Sequence, residues 1–266
     1  IQDFETSCTF IGYIIDEMSN SIDYPDFSLK TLDIEEGYTP EEIAQFTRKD
    51  FRIFDNEPIE DIFRIIEDKG IIIYELNANE KFDGISLFTK KGFPVIVLNK
   101  RLPNDRKRFT LAHELGHLIM HTAFPVPNVR DKEQEANDFA SEFLMPERAI
   151  RNSLEGLKLS SLSALKSYWL TSKASIIRRA YSLGVINQNK YKYFNIELSR
   201  IGEKKNEKGS VSIDEAITFD MAVKLHLKEL EYTYDDLANA FDLPEDVIQR
   251  YVLKQNLFLK PKLTIN

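Results

Sequence analysis

The chain has 266 residues, 42% of them hydrophobic and 29% charged, which suits a globular core and excludes wholesale disorder. A single cysteine, Cys8, excludes an intramolecular disulfide framework, and no apolar run is long enough for a membrane helix or a signal peptide, so a reducing, cytoplasmic setting is expected. The net charge of −8 disfavours the whole chain as a non-specific nucleic-acid binder, which needs positive charge to release counterions.

Residues 1–37 carry two weak apolar stretches and an acidic patch, with no motif. Cys8 sits in an apolar stretch and reads as a buried small residue. The chain opens at Ile1 without a methionine, as a fragment of a longer protein would. From Thr39 the signals sharpen. Thr39 can cap a helix that has Pro40 at its first position and Glu41 and Glu42 at the positive end of its dipole. Pro58–Lys69 carries a helical stripe of Ile59, Ile62, Phe63, Ile65 and Ile66 and stops at Gly70. Three strand-like runs follow, Ile71–Leu76, Gly84–Thr89 and Pro94–Leu98, the last apolar enough to be buried on both faces. Asn104 is expected to cap a long helix reaching His121. A proline-broken loop over 122–130 leads to a second helix, Glu133–Leu144, stopped by Pro146. The order helix, sheet, helix, helix predicts an α+β fold.

Lys158–Arg200 carries eight Lys and Arg against Glu197 alone, a local +7 that leaves −15 for the remainder. Within it, Leu165–Trp169 and Ser175–Leu183 have the layout of a helix-turn-helix. It reads either as a small helical subdomain with a solvated basic side or as a possible contact for DNA or an acidic repressor surface, with Arg178 and Arg179 as test residues. Gly202–Gly209 is polar and glycine-bounded, a plausible linker. Ser212–Leu230, Tyr234–Phe241 and Pro244–Leu253 then read as three helices. The last two have a helix-turn-helix rhythm but present Asp235, Asp236, Asp242, Glu245 and Asp246, which repel phosphate, so a structural or protein-binding role is expected there. The expected segments are thus 1–37, unassigned; 38–150, the α+β domain; 151–202, basic and helical; and 210–266, acidic and helical.

Three of the four histidines fall within nine residues, at His113, His117 and His121. His113-Glu114-Leu115-Gly116-His117 is an HExxH pattern. Residues four apart share a helix face, so His113 and His117 can reach one ion. Zinc lowers the pKa of bound water to about 7, and the carboxylate of Glu114 can then take the proton for attack on a carbonyl. By itself HExxH also occurs in ordinary helices. Here Phe109, Leu111, Ala112, Leu115, Leu118, Ile119 and Met120 make the helix mostly apolar, and buried histidines need partners. His121 lies about 12 Å along the axis from His113 at 1.5 Å rise per residue, too far to share an ion held by bonds of about 2.1 Å. It reads as a helix-end residue or as support for a ligand. The third ligand is sought among Asp131, Glu133, Glu135, Asp138 and Glu142. Ala136, Phe139, Ala140, Phe143 and Leu144 define the inward stripe, and Glu133 extends it, with Glu135 as rival. Asn137 can bond a ligand histidine. Glu133→Ala should then lose zinc and Glu135→Ala keep it.

Arg108-Phe-Thr-Leu-Ala-His113-Glu-Leu-Gly-His117-Leu-Ile-Met-His121, followed by Glu133-Gln-Glu-Ala-Asn-Asp-Phe139-Ala and Leu144-Met-Pro146, resembles the ImmA/IrrE family of metallopeptidases. The likeness takes in Pro58–Lys69, Asp83-Gly84 and Val95–Asn99, and weakly Leu157–Arg200. It implies a zincin-like fold, one zinc on His113, His117 and Glu133, and Glu114 as general base, with Asn137 standing where glutamate-ligand zincins have Asp. It also implies a partner: members of this family typically cleave helix-turn-helix repressors of the XRE type, releasing mobile-element or DNA-damage genes. Two other readings compete. One is a DNA- or partner-binding regulator with a structural or vestigial metal site. The other is an antitoxin-like module that binds a partner without cutting it. Glu114 favours the peptidase, since a structural site would not need a carboxylate that is no ligand.

Overall fold

Thr39 and Glu42 show how far local chemistry decides the fold. In the computed structural model, which describes residues 2–79, 81–122, 126–127, 129–204 and 207–253, helix α2 (Pro40–Asp50) opens with a reciprocal cap. The Thr39 hydroxyl accepts from the Glu42 N–H, and the Glu42 carboxylate accepts from the Thr39 N–H. Before it lies α1 (Gln2–Met18), a helix in a region that sequence reasoning left unassigned.

Helix α3 spans Ile62–Glu67, four residues shorter at its start than the apolar stripe predicts. The carbonyls of Ile59 and Glu60 accept from the buried guanidinium of Arg108 and so do not serve a helix. Gly70 ends the turn at φ 81°, and a Cβ there would stand 2.5 Å from the Asp26 carbonyl oxygen, so only glycine fits.

The sheet has three strands, β1 (Ile72–Leu76), β2 (Gly84–Phe88) and β3 (Pro94–Asn99), in the order β1-β3-β2. The central β3 is parallel to β1 and antiparallel to β2, and all six of its residues are buried. Period-2 alternation splits the side chains between two cores. Ile73, Ile96 and Leu98 pack with Leu111, Leu115, Phe139 and Phe143 from the two helices described next. Ile72, Tyr74, Val95 and Val97 face Ile11, Ile14 and Ile15 of α1 together with the C-terminal helices.

Helix α4 (Asn104–His117) and α5 (Lys132–Leu144) cover the first face, followed by α6 (Glu147–Leu154), α7 (Leu162–Trp169), α8 (Lys173–Ser182) and α9 (Gln188–Arg200). α10 (Thr218–Lys228), α11 (Tyr234–Ala240) and α12 (Glu245–Tyr251) return to the second face. The Tyr74 hydroxyl donates to the Tyr251 carbonyl at 2.8 Å, and the Tyr13 hydroxyl donates to the Phe241 carbonyl at 2.8 Å. α10 begins six residues later than expected, because the preceding segment exchanges caps with α3. Asp214 accepts from the N–H groups of Phe63 and Arg64, and Glu67 accepts from those of Ile217 and Thr218.

Two readings of the basic stretch change. Gly202–Gly209 is not a free linker in its described part. Glu203 pairs with Lys173, and Glu207 pairs with Lys166 and caps the start of α8 through the Lys173 N–H. Lys166 also pairs with Asp105, and Arg179 with Glu142. Lys166, Lys173 and Arg179 are therefore buried and neutralised. Counting them as a solvated face was an error, since their acidic partners lie 30 or more residues away in the chain. No described helix is long and apolar enough to cross a membrane.

Candidate metal centre

α4 carries the HExxH residues along the groove between β2 and α5. Its first residue, Asn104, does not cap the helix as expected. Pro103 occupies that place, and the Asn104 amide donates to the Val211 carbonyl. Nor does the α-helix run unbroken to His121. It ends at His117 and widens into one π turn, Leu118–Thr122, where the Thr122 hydroxyl donates to the His117 carbonyl at 3.0 Å. The loop prolines expected after it are described only at Pro127; Pro125 lies outside the described residues.

Glycine sets the distance between helices. A Cβ on Gly116 would stand 2.9 Å from Cδ1 of the buried Phe139, so its absence lets α5 press against α4. Asp131 caps α5 by accepting from the Gln134 N–H, which places Glu133 in the first turn.

The candidate ligands meet there. The His113 and His117 Nε2 atoms are 3.0 Å apart, and the Glu133 carboxylate reaches 3.4 Å from each. These three side chains form a group whose ligand atoms lie within 4.8 Å of one another. The other four acids weighed from the sequence are engaged elsewhere or in local bonds. Glu135 faces His121 and Arg130, Asp138 accepts from Gln134, and Glu142 is buried against Arg179 and Gln45. Asp131 serves as the cap.

The protons on the rings follow from their outer partners. The Nδ1 of His113 faces the Asn137 Oδ1 at 3.1 Å, so that nitrogen donates and Nε2 is left with a bare lone pair. The Nδ1 of His117 meets the His121 Nδ1 at 2.9 Å. Burial, with the positive influence of His113 and His121 after it, pushes the pKa of His117 down to about 3, so the ring is neutral at physiological pH. Two imidazole nitrogens facing each other, with a carboxylate beside them, form a group that could hold a metal ion. A tetrahedral ion with bonds of about 2.1 Å has ligand edges of about 3.4 Å, which fits the two carboxylate spacings.

Glu114 is buried beside this group and outside it. Its carboxylate accepts from the Ser86 hydroxyl at 2.9 Å, on the edge strand β2. Burial raises its pKa, opposed by that hydrogen bond and by His113. Sequence reasoning missed Ser86, whose only local cue is its place in a loosely alternating strand. It also left His121 between two roles. The structure sets His121 against His117 on one side and Glu135 on the other.

No curated protein matches the chain. A solved structure described as a Mycobacterium tuberculosis transcriptional regulator aligns with a TM-score of 0.41 at 14% identity, over 64% of this chain and 51% of that one, so this chain spans about half of its length. The profile of a metallopeptidase family, Peptidase_M78, described as the IrrE N-terminal-like domain, matches residues 66–181, from the end of α3 into α8. The stretch contains the histidine pair, Glu114 and Glu133, so residues 66–181 are similar to the IrrE N-terminal-like domain of that metallopeptidase family.

Proposed function

We propose that this chain is a cytoplasmic zinc-dependent endopeptidase that cleaves a regulatory protein, an XRE-type repressor or an antitoxin, in a stress or mobile-element response. One observation carries the reading. Two Nε2 lone pairs and the Glu133 carboxylate converge, while a fourth residue, Glu114, stands beside them with its own partner. A structural site has no use for such a carboxylate.

His113, His117 and Glu133 would hold the ion, one per chain. Bound there, zinc would supply a Lewis acid for the scissile carbonyl and for water. Glu114 takes a proton on its carboxylate and returns it to the leaving amine. Its raised pKa makes it a stronger base than a free carboxylate. Ser86 holds the carboxylate in place through its hydroxyl.

The alternative of a DNA-binding regulator loses part of its footing, because three of the eight cations in Lys158–Arg200 are buried in ion pairs. The experiment is metal content and cleavage of a candidate repressor by wild type, His113→Ala and Glu114→Gln. About one zinc per chain, lost in His113→Ala, with Glu114→Gln retaining metal but not cutting, supports the reading. Absence of metal from wild type after zinc is added back overturns it.

A further inference from the structure

The third histidine and the rival acid have a common purpose. Arg130 donates from Nε to Glu135 Oε1 at 2.7 Å and from Nη1 to Glu35 Oε1 at 2.8 Å, tying the first turn of α5 to the short turn Ile34–Glu36. Beside a guanidinium, Glu135 is a carboxylate and can only accept. Its second oxygen, Oε2, faces His121 Nε2 at 2.9 Å, so that nitrogen carries the hydrogen. The His121 side chain is 4% exposed, and a neutral imidazole has one nitrogen that donates and one that accepts. Its Nδ1 is therefore bare. That bare nitrogen lies 2.9 Å from His117 Nδ1, which must donate. A neutral His117 with its proton on Nδ1 presents a lone pair at Nε2, toward His113 and Glu133.

We propose that His121 and Glu135 are positioning residues, forming with Arg130 a hydrogen-bond chain whose fixed direction selects the Nδ1–H tautomer of His117 and so prepares it as a ligand. The inference rests on the metal-site reading and deepens it. His113 reaches the same tautomer through Asn137, on the second turn of α5. One helix thus sets both rings by two separate routes, and the π turn brings His121 to the one that passes through it. Glu135 differs from Glu133 in this respect: one orients a ligand, the other is one.

The experiment uses the full chain, metal-free and then titrated with zinc against a chelator, as wild type, Glu135→Gln and His121→Phe. Long-range nitrogen–proton NMR reads the tautomer of His117 in the metal-free protein, and a thermal melt reports folding. Expected are an Nδ1–H form in wild type, a mixture of tautomers in both variants, and zinc affinity about 10–100-fold weaker with the site retained. Glu135→Gln preserves shape and guards against a His121→Phe chain that does not fold. An Nε2–H form of His117 in wild type, or wild-type zinc affinity in a folded Glu135→Gln, overturns the proposal. Because the tautomer is read without metal, a wild type that binds no zinc sinks the peptidase reading while the positioning is still decided.

Discussion

Gly116 and Phe139 pack tightly where the two helices of the site meet: a Cβ on residue 116 would fall 2.9 Å from the phenyl Cδ1 and 3.2 Å from its Cγ. Phe139 is itself stacked on Phe143, with ring centroids 5.6 Å apart, so it has little room to retreat. Gly116→Ala gains helix propensity of about 1 kcal/mol yet overpacks a core contact, which costs typically 1–3 kcal/mol. A net loss of up to about 2 kcal/mol in denaturant unfolding of the metal-free protein is expected. Zinc affinity should fall as well, because displacing α5 carries Glu133 away from the histidines. A variant with wild-type affinity would show that α5 has slack there.

Ser86 touches Glu114 but not the three candidate ligands in any described hydrogen bond. Ser86→Ala should therefore keep the metal and lower kcat, on the order of tenfold, with KM little changed. Loss of zinc in this variant would mean that β2 supports the metal group and not the base.

Neighbours in sequence, Arg178 and Arg179 are opposites in structure. Arg179 is 3% exposed and pairs with Glu142, while Arg178 is exposed. Arg179→Ala leaves a buried carboxylate without its partner and should cost about 3–5 kcal/mol. Arg178→Ala should change stability by no more than about 0.5 kcal/mol. Equal effects on thermal melting would contradict the burial of the ion pair.

Removal of everything after residue 209 would strip Phe219, Ala222, Leu237, Ile248 and Tyr251 from the second face of the sheet. Such a chain should bind a hydrophobic dye and aggregate, even though the candidate metal group is intact. A monomeric, dye-free truncation with normal zinc binding would show that α1 alone shields that face.

Much of this was legible in the sequence where the interactions are local. The cap of α2 needs only Thr39 and Glu42, three residues apart, and the two histidines need only one helical turn. Three strands and their order along the chain followed from apolar runs. What could not be read is what long separations decide. Lys173 finds Glu203 30 residues on, and Lys166 finds Asp105 61 residues back, so a charge count mistook buried pairs for surface. The π turn after His117 and the hydroxyl of Ser86 on Glu114 likewise depend on packing that no periodicity reports.

The face of the sheet shared by α1 and α12 has a consequence for synthesis. The Ser7 and Tyr251 hydroxyls meet at 2.9 Å across 244 positions, and β3, finished at Asn99, waits for α12 to be covered. At ribosomal speeds of about 5–20 residues per second, the interval between those two elements is about 8–30 s. Until α10 emerges, Ile72, Val95 and Val97 have only α1 as a shield. The nascent chain thus exposes part of an apolar sheet face while α4 and α5 are already out, a period in which chaperones would be expected to hold it.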